Sequence, residues 1–134
     1  MKSLLIISCS RRKGPLQQGS AWNLYDGHLF RVLKKLLRNS PGWRRVIDIL
    51  VVSAKYGVIR SDECIRTYDC LMTKELIVNR PKFWAESLIT NLSGEDYTQI
   101  FVNLSGRYLE ALPNISKIIP QAKYSTGPIG KRCH

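Results

Sequence analysis

Three apolar runs constrain this chain more than anything else in it. "KSLLIIS" (2–8), "RVIDILVVSA" (45–54) and "YTQIFVNLS" (97–105) are short and rich in Ile, Leu and Val. Runs of that length and composition are strands, and the nearly continuous ones are buried on both faces. Between the first two, Trp22, Tyr25, Leu29, Leu33 and Leu36 recur at three- and four-residue steps, with Phe30 and Leu37 widening the same face. That spacing predicts one amphipathic helix over 21–38, stopped by Pro41 and Gly42. A second helical region, 73–91, is interrupted near Asn79-Arg80-Pro81, because proline starts a helix better than it continues one. A short helix over 107–112 and a last short strand within "SKIIPQAKYS" complete the pattern. The alternation predicts a single α/β domain over 1–134, with a small, largely parallel sheet flanked by helices.

In such a sheet right-handed crossovers bring the carboxyl ends of the strands to one edge, where ligands bind. The first run ends in Ser8-Cys9-Ser10, the second in Ser53-Ala54-Lys55-Tyr56-Gly57 and the third in Ser105-Gly106-Arg107-Tyr108. Hydroxyls, glycines, cations and tyrosines at three equivalent ends predict a pocket. Cys9, Ser10, Tyr25, Ser53, Tyr56, Gly57, Tyr68, Ser105 and Gly106 are its candidate substrate-binding residues. Ser105-Gly106 before a helix has the form of an anion cradle. Neither GxxxxGK(S/T) nor GxGxxG occurs, and no cofactor is expected.

Three residues are candidates for chemistry. Lys13 follows Arg11 and Arg12, and neighbouring cations favour the free amine, which attacks electrophilic carbon. Its plainer role is a point charge on phosphate. Asp62 and Asp69 follow the second strand, where a carboxylate facing a cationic rim stabilises developing positive charge, or simply caps a turn.

The formal charge is +11, from 21 Lys plus Arg against 10 Asp plus Glu in 134 residues. A balance so basic favours a polyanionic partner and says little about fold. The candidate nucleic-acid-binding residues are the clusters Arg11-Arg12, Lys34-Lys35 with Arg38, and Lys131-Arg132. No apolar run approaches the ~20 residues of a membrane helix. The start "MKSLLIISCSRRKG" ends its short apolar run in Arg-Arg-Lys, so it reads as a strand and not as a leader. With Cys9, Cys64, Cys70 and Cys133 lacking paired CxxC spacing, free thiols, a cytoplasmic setting and no metal are expected.

The segment "SAKYGVIRSDECIRTYDCLM" resembles the central motif of the YaaA peroxide-stress family. Ser53, Tyr56, Gly57, Ile65, Tyr68 and Met72 fall at matching places. Glu63 stands at the family's Asp, with Asp62 one residue earlier. "CSRRKGP" and "AWNLYDGHLF" resemble a short branch of the same family through Cys9, Ser10, Lys13, Ala21, Leu24, Tyr25 and Phe30, and "GPIGKR" is similar to its close. The first of these also faintly resembles the Cys-x-x-x-Lys-Pro segment of archaeosine synthase, where the lysine engages a tRNA base covalently, but here Gly14 displaces Pro15 and the motif's Tyr and His are missing locally. The resemblance to the YaaA family implies DNA binding and protection from oxidative damage.

Residues and resemblance together predict an enzyme acting on a base or N-glycosidic bond of DNA, RNA or a nucleotide, of glycosylase, lyase or base-modifying type. The alternatives are a non-catalytic DNA- or RNA-binding protein and a nucleoside or nucleotide hydrolase or transferase. Oligomeric state is open.

Overall fold

β1 (Lys2–Ser8) takes the centre of a five-stranded sheet because both its faces are apolar: Leu4 and Ile6 enter one core and Ile7 the other. The computed structural model describes residues 2–10, 13–104 and 106–125. β3 (Ile47–Ser53) and β6 (Tyr97–Asn103) flank β1 in parallel, with Ile7 opposite both Val51 and Asn103. β7 (Lys123–Ser125) runs parallel to β6, and β4 (Gly57–Arg60) runs antiparallel to β3, giving the order β4-β3-β1-β6-β7. The sheet is therefore mixed, which corrects the largely parallel one expected. Only residues 54–56 separate β3 from β4, and a parallel return needs a crossover of a dozen residues or more. A separate ribbon pairs β2 (Gln18–Ser20) with β5 (Cys64–Arg66).

The two cores lie on opposite faces of the sheet. Leu4, Ile6, Leu50, Val52, Ile100 and Val102 meet Trp84 and Leu88 of α4 (Phe83–Leu92), with Ile115 of α6 (Ile115–Ile118) beside them. Ile7, Ile49 and Val51 meet α1 (Ala21–Leu24) and, through Phe30 and Leu33, α2 (His28–Leu37). α3 (Lys74–Asn79) starts at Thr73, whose Oγ1 accepts from the Leu76 amide at 3.1 Å. The chain breaks before α4 at Pro81, where the sequence predicts it.

The single helix expected over 21–38 is two. Ser20 caps α1 by accepting from the Asn23 amide, and Tyr25 then leaves helical geometry at φ −74°, ψ 137°. Two partners elsewhere in the chain hold this break open. Lys13 bridges Tyr25 in antiparallel fashion, and Ser10 Oγ accepts from the Gly27 amide at 3.1 Å. A Cβ on Gly27 would stand 2.5 Å from the Ser10 Cβ, so only glycine permits that approach.

The turn into β4 depends on Gly57, at φ +84°, with α4 against it. A Cβ there would meet Ser87 Oγ at 3.0 Å and Phe83 Cζ at 3.1 Å. Gly57→Ala is expected to destabilise the fold by about 1–3 kcal/mol, from left-handed strain plus the displaced α4 contact. Urea unfolding measures it as a lower midpoint at unchanged slope.

At the amino edge of the sheet, Asp48 is 5% exposed and surrounded by donors. Tyr97 Oη donates to it at 2.8 Å, Lys2 Nζ lies at 3.2 Å and Arg60 at 3.5 Å. Burial pushes its pKa up, but these three together pull it down further, and the net position is below the ordinary carboxylate value. A folded-state pKa below the unfolded one adds stability above about pH 4, and that stability is lost as pH falls through the folded value. Urea midpoints of wild type and Asp48→Asn are therefore expected to differ most near neutral pH and to converge as pH is lowered from about 5 towards 2.

Candidate functional site

At the carboxyl edge, Cys9 follows β1, Ser53 closes β3 and Asn103 closes β6, all three on the sheet face that carries Ile7 and Val51. Ser53 is fully buried and organises its own turn, its Oγ accepting from the amides of Lys55 at 3.2 Å and Tyr56 at 3.1 Å. With those lone pairs engaged, its proton is free for Tyr68 Oη, 2.9 Å away. Tyr68 Oη also bonds Tyr25 Oη, and Cys9 belongs to the core cluster against which Tyr68 packs. Cys9 Sγ, in turn, contacts Tyr108 Oη at 3.1 Å. Tyr108 belongs to α5 (Arg107–Glu110), the single turn after β6. Hydroxyl contacts thus join Ser53, Tyr68 and Tyr25, with the Cys9–Tyr108 pair as a second polar contact at the same edge.

Two ammonium groups stand over this cluster. Lys13 Nζ lies 4.2 Å from the centroid of the Tyr68 ring and 5.9 Å from that of Tyr25. Lys55 Nζ lies 5.5 Å from the Tyr56 ring and 5.9 Å from the Tyr68 ring. Tyrosine faces attract cations, so the rings hold both amines at the edge. Tyr56 meets Tyr68 edge-on, centroids 5.4 Å apart, and its hydroxyl bonds the backbone of Arg66, tying β5 to the same place. Burial is the main cause that pushes the pKa values of Tyr25, Tyr68 and Tyr108 well above the ordinary tyrosine value, with Cys9 adding to each. These hydroxyls stay protonated at any working pH. They serve as neutral hydrogen-bond donors and not as bases.

The predicted residues divide cleanly. Cys9, Lys13, Tyr25, Ser53, Tyr56 and Tyr68 come together at this edge, and Ser10 supports it through Gly27. Asp69 is exposed and follows Tyr68 directly. Asp62 is not part of the cluster, and its assignment to the rim is corrected. Antiparallel β4 returns the chain to the amino edge, where Asp62 accepts from Arg60 Nε at 3.2 Å and lines a cavity of about 200 Å³ with Lys2, Asp48 and Arg60. Glu63 is exposed in the same turn. Gly57 serves the turn and α4. Gly106 sits at φ +54° before α5, whose single turn is too short to sum a useful dipole, so the cradle expected there is weak.

Among the basic candidates, Lys34 turns inward, its Nζ donating to the Tyr25 carbonyl at 2.8 Å, and burial lowers its pKa. Lys35 and Arg38 are exposed on α2, and Arg44 and Arg45 are exposed in the 3-10 turn that follows. Arg11, Arg12, Ser105, Lys131, Arg132, Cys133 and the "GPIGKR" segment lie outside the described residues. Cys9, Cys64 and Cys70 are free thiols. Among the described residues no helix is long and apolar enough to cross a membrane.

Sequence reasoning left out three contributors: Lys55, Tyr108 and Asn103. The first two stood within the strand-end segments already noticed. Asn103 had one signal, a lone carboxamide inside the apolar run "IFVNL".

Fold and edge together define an α/β protein with an open mixed sheet and an amine-bearing, tyrosine-lined cluster at the carboxyl ends of its central strands. Within that class, the chain belongs to a family of unknown function, DUF6884, whose model matches residues 4–132. Comparison with curated proteins and with solved structures finds no match.

Proposed function

We propose that the carboxyl edge is the active site of an enzyme that acts on a nucleobase or its N-glycosidic bond, in DNA, RNA or a nucleotide, with Lys13 as the reacting or phosphate-binding amine. The observation that carries this reading is the position of Lys13 Nζ, 4.2 Å over Tyr68 beside a row of neutral donors. Aromatic faces and hydroxyl donors suit a planar heterocycle, and an amine among them suits either C1′ or a phosphate. In the covalent form, the amine lone pair forms an N–C1′ bond and the base leaves with the glycosidic electron pair and takes up a proton. Sugar-ring opening then yields an imine that water hydrolyses or hydride reduces. The net charge of +11 supports a polyanionic substrate, and the free thiols fit the reducing cytoplasm expected for such an enzyme. Relationship to the YaaA family is part of the same proposal: Ser53, Tyr56 and Tyr68 of the resembling motif meet at this edge.

The test is borohydride trapping on oligonucleotides and on free nucleosides, with peptide mapping of any adduct. A reduced adduct on Lys13 supports the covalent form. Turnover without trapping, together with an active Lys13→Arg variant, would sink it.

A second reading, a non-catalytic nucleic-acid-binding protein, is favoured by exposed Lys35, Arg38, Arg44 and Arg45. It requires affinity that falls steeply with salt and depends on those residues more than on Ser53 or Tyr56.

A further inference from the structure

Asn103 ends β6 with a side chain that neither core uses. The residue is 6% exposed, and its Nδ2 has no hydrogen-bond partner among the described residues. Buried amide groups in folded proteins are nearly always bonded, so this one needs a cause. Its position supplies one. Strand register sets Asn103 beside Ile7, and Ile7 beside Val51, on the face that carries Cys9 and Ser53. Those two stand two residues further on, so Asn103 lies one pleat repeat deeper, on the floor of the polar cluster. Tyr108 spans the ends of β6 and β1 on the same side, held at Cys9 by a thiol contact, a weak hydrogen bond.

We propose that Asn103 is the base-reading residue of this site, its carboxamide binding the edge of a planar nucleobase. The amide N–H donates to a ring nitrogen or ring carbonyl, and Oδ1 accepts from an adjacent N–H or amino group. A carboxamide presents donor and acceptor side by side, the pattern that pairs with neighbouring acceptor and donor on a base edge. Entry of the ring displaces Tyr108 from Cys9. This inference rests on the reading of the carboxyl edge as a nucleobase site, and it adds which residue selects the base.

The test titrates wild type, Asn103→Leu and Asn103→Asp with the 5′-monophosphates of adenosine, guanosine, cytidine and uridine, and with ribose 5-phosphate as a probe without a base. Wild type is expected to prefer one or two bases by about tenfold or more. Asn103→Leu, which keeps the branched outline of the side chain and has no orphan donor, is expected to stay folded, with the cost of its added volume read from its melting temperature. It should lose about 10- to 100-fold in affinity for the preferred base and bind ribose 5-phosphate as wild type does. Asn103→Asp, which has no donor when ionised, is expected to shift preference towards bases that offer an amino group. Wild-type base ranking retained in either folded variant overturns the inference, as does a wild type that binds nucleotides without ranking them. If wild type binds none of the four monophosphates, the nucleobase reading of the whole edge fails with it.

Discussion

Lys13→Ala is expected to lower turnover on the true substrate at least about 100-fold while leaving the protein folded. The effect is large because the Lys13 amine stands over Tyr68 in the polar cluster, and alanine offers neither nucleophile nor charge there. The stability loss should be small. Lys13 is half-buried and belongs to neither hydrophobic core, and its cation–π contact with Tyr68 is worth about 0.5–1 kcal/mol. Lys13→Arg separates the two roles of the amine. Guanidinium holds a phosphate but stays protonated and does not attack carbon. A phosphate anchor predicts an arginine variant with substantial turnover, and a nucleophile predicts one as inactive as alanine. Full turnover in Lys13→Ala would remove the amine from the chemistry altogether. Steady-state rates on oligonucleotides, with melting curves for each variant, decide among these outcomes.

The largest effect on stability is expected at Trp84. It is fully buried in the core on the α4 face of the sheet, and its indole N–H donates to the Ser53 carbonyl at 2.8 Å. Trp84→Ala is expected to cost about 3–5 kcal/mol through lost contacts and the cavity left behind. In a domain of this size that is a fall of roughly 10–20 °C in melting temperature. Trp84→Phe restores most of the volume but removes the indole donor from the Ser53 carbonyl, a lost bond worth about 0.5–1.5 kcal/mol. The second variant bears on function as well, because the same Ser53 holds Tyr68 through its hydroxyl on the other face of the sheet. A phenylalanine variant that melts close to wild type yet binds nucleotides poorly would locate the coupling in Ser53. One that matches wild type in both would show that the indole bond is dispensable.

Much of the scaffold is legible along the chain. The runs 2–8, 45–54 and 97–105 are strands to within about two residues, and Pro81 interrupts the second helical region as proline chemistry requires. The misreadings have one cause. An apolar stripe through Trp22, Tyr25, Leu29 and Leu33 is equally compatible with one helix or with two short ones on the same face. What separates them here is a pair of contacts from residues 10 and 13, which open the chain at Tyr25 and Gly27. Asp62 fails at the rim for the same kind of reason. A three-residue turn sends β4 back to the amino edge, and distance along the chain from Ser53 says nothing about that reversal.

The residue types of the site were also visible early, as hydroxyls, tyrosines and cations crowding the strand ends. Their wiring was not. Cys9 meets Tyr108 across 99 positions, Tyr25 meets Tyr68 across 43, and the buried amide of Asn103 joins the same floor only because β6 pairs with β1 in one register. Hydrophobic periodicity arises between neighbours in the chain, so the sequence by itself determined an α/β protein with a polar, basic set of strand ends. Strand register and the direction of each return arise from backbone hydrogen bonds between distant segments. Those bonds, formed only in the folded molecule, decided that Lys13, Tyr68, Ser53 and Asn103 share one edge and that Asp62 lies at the other.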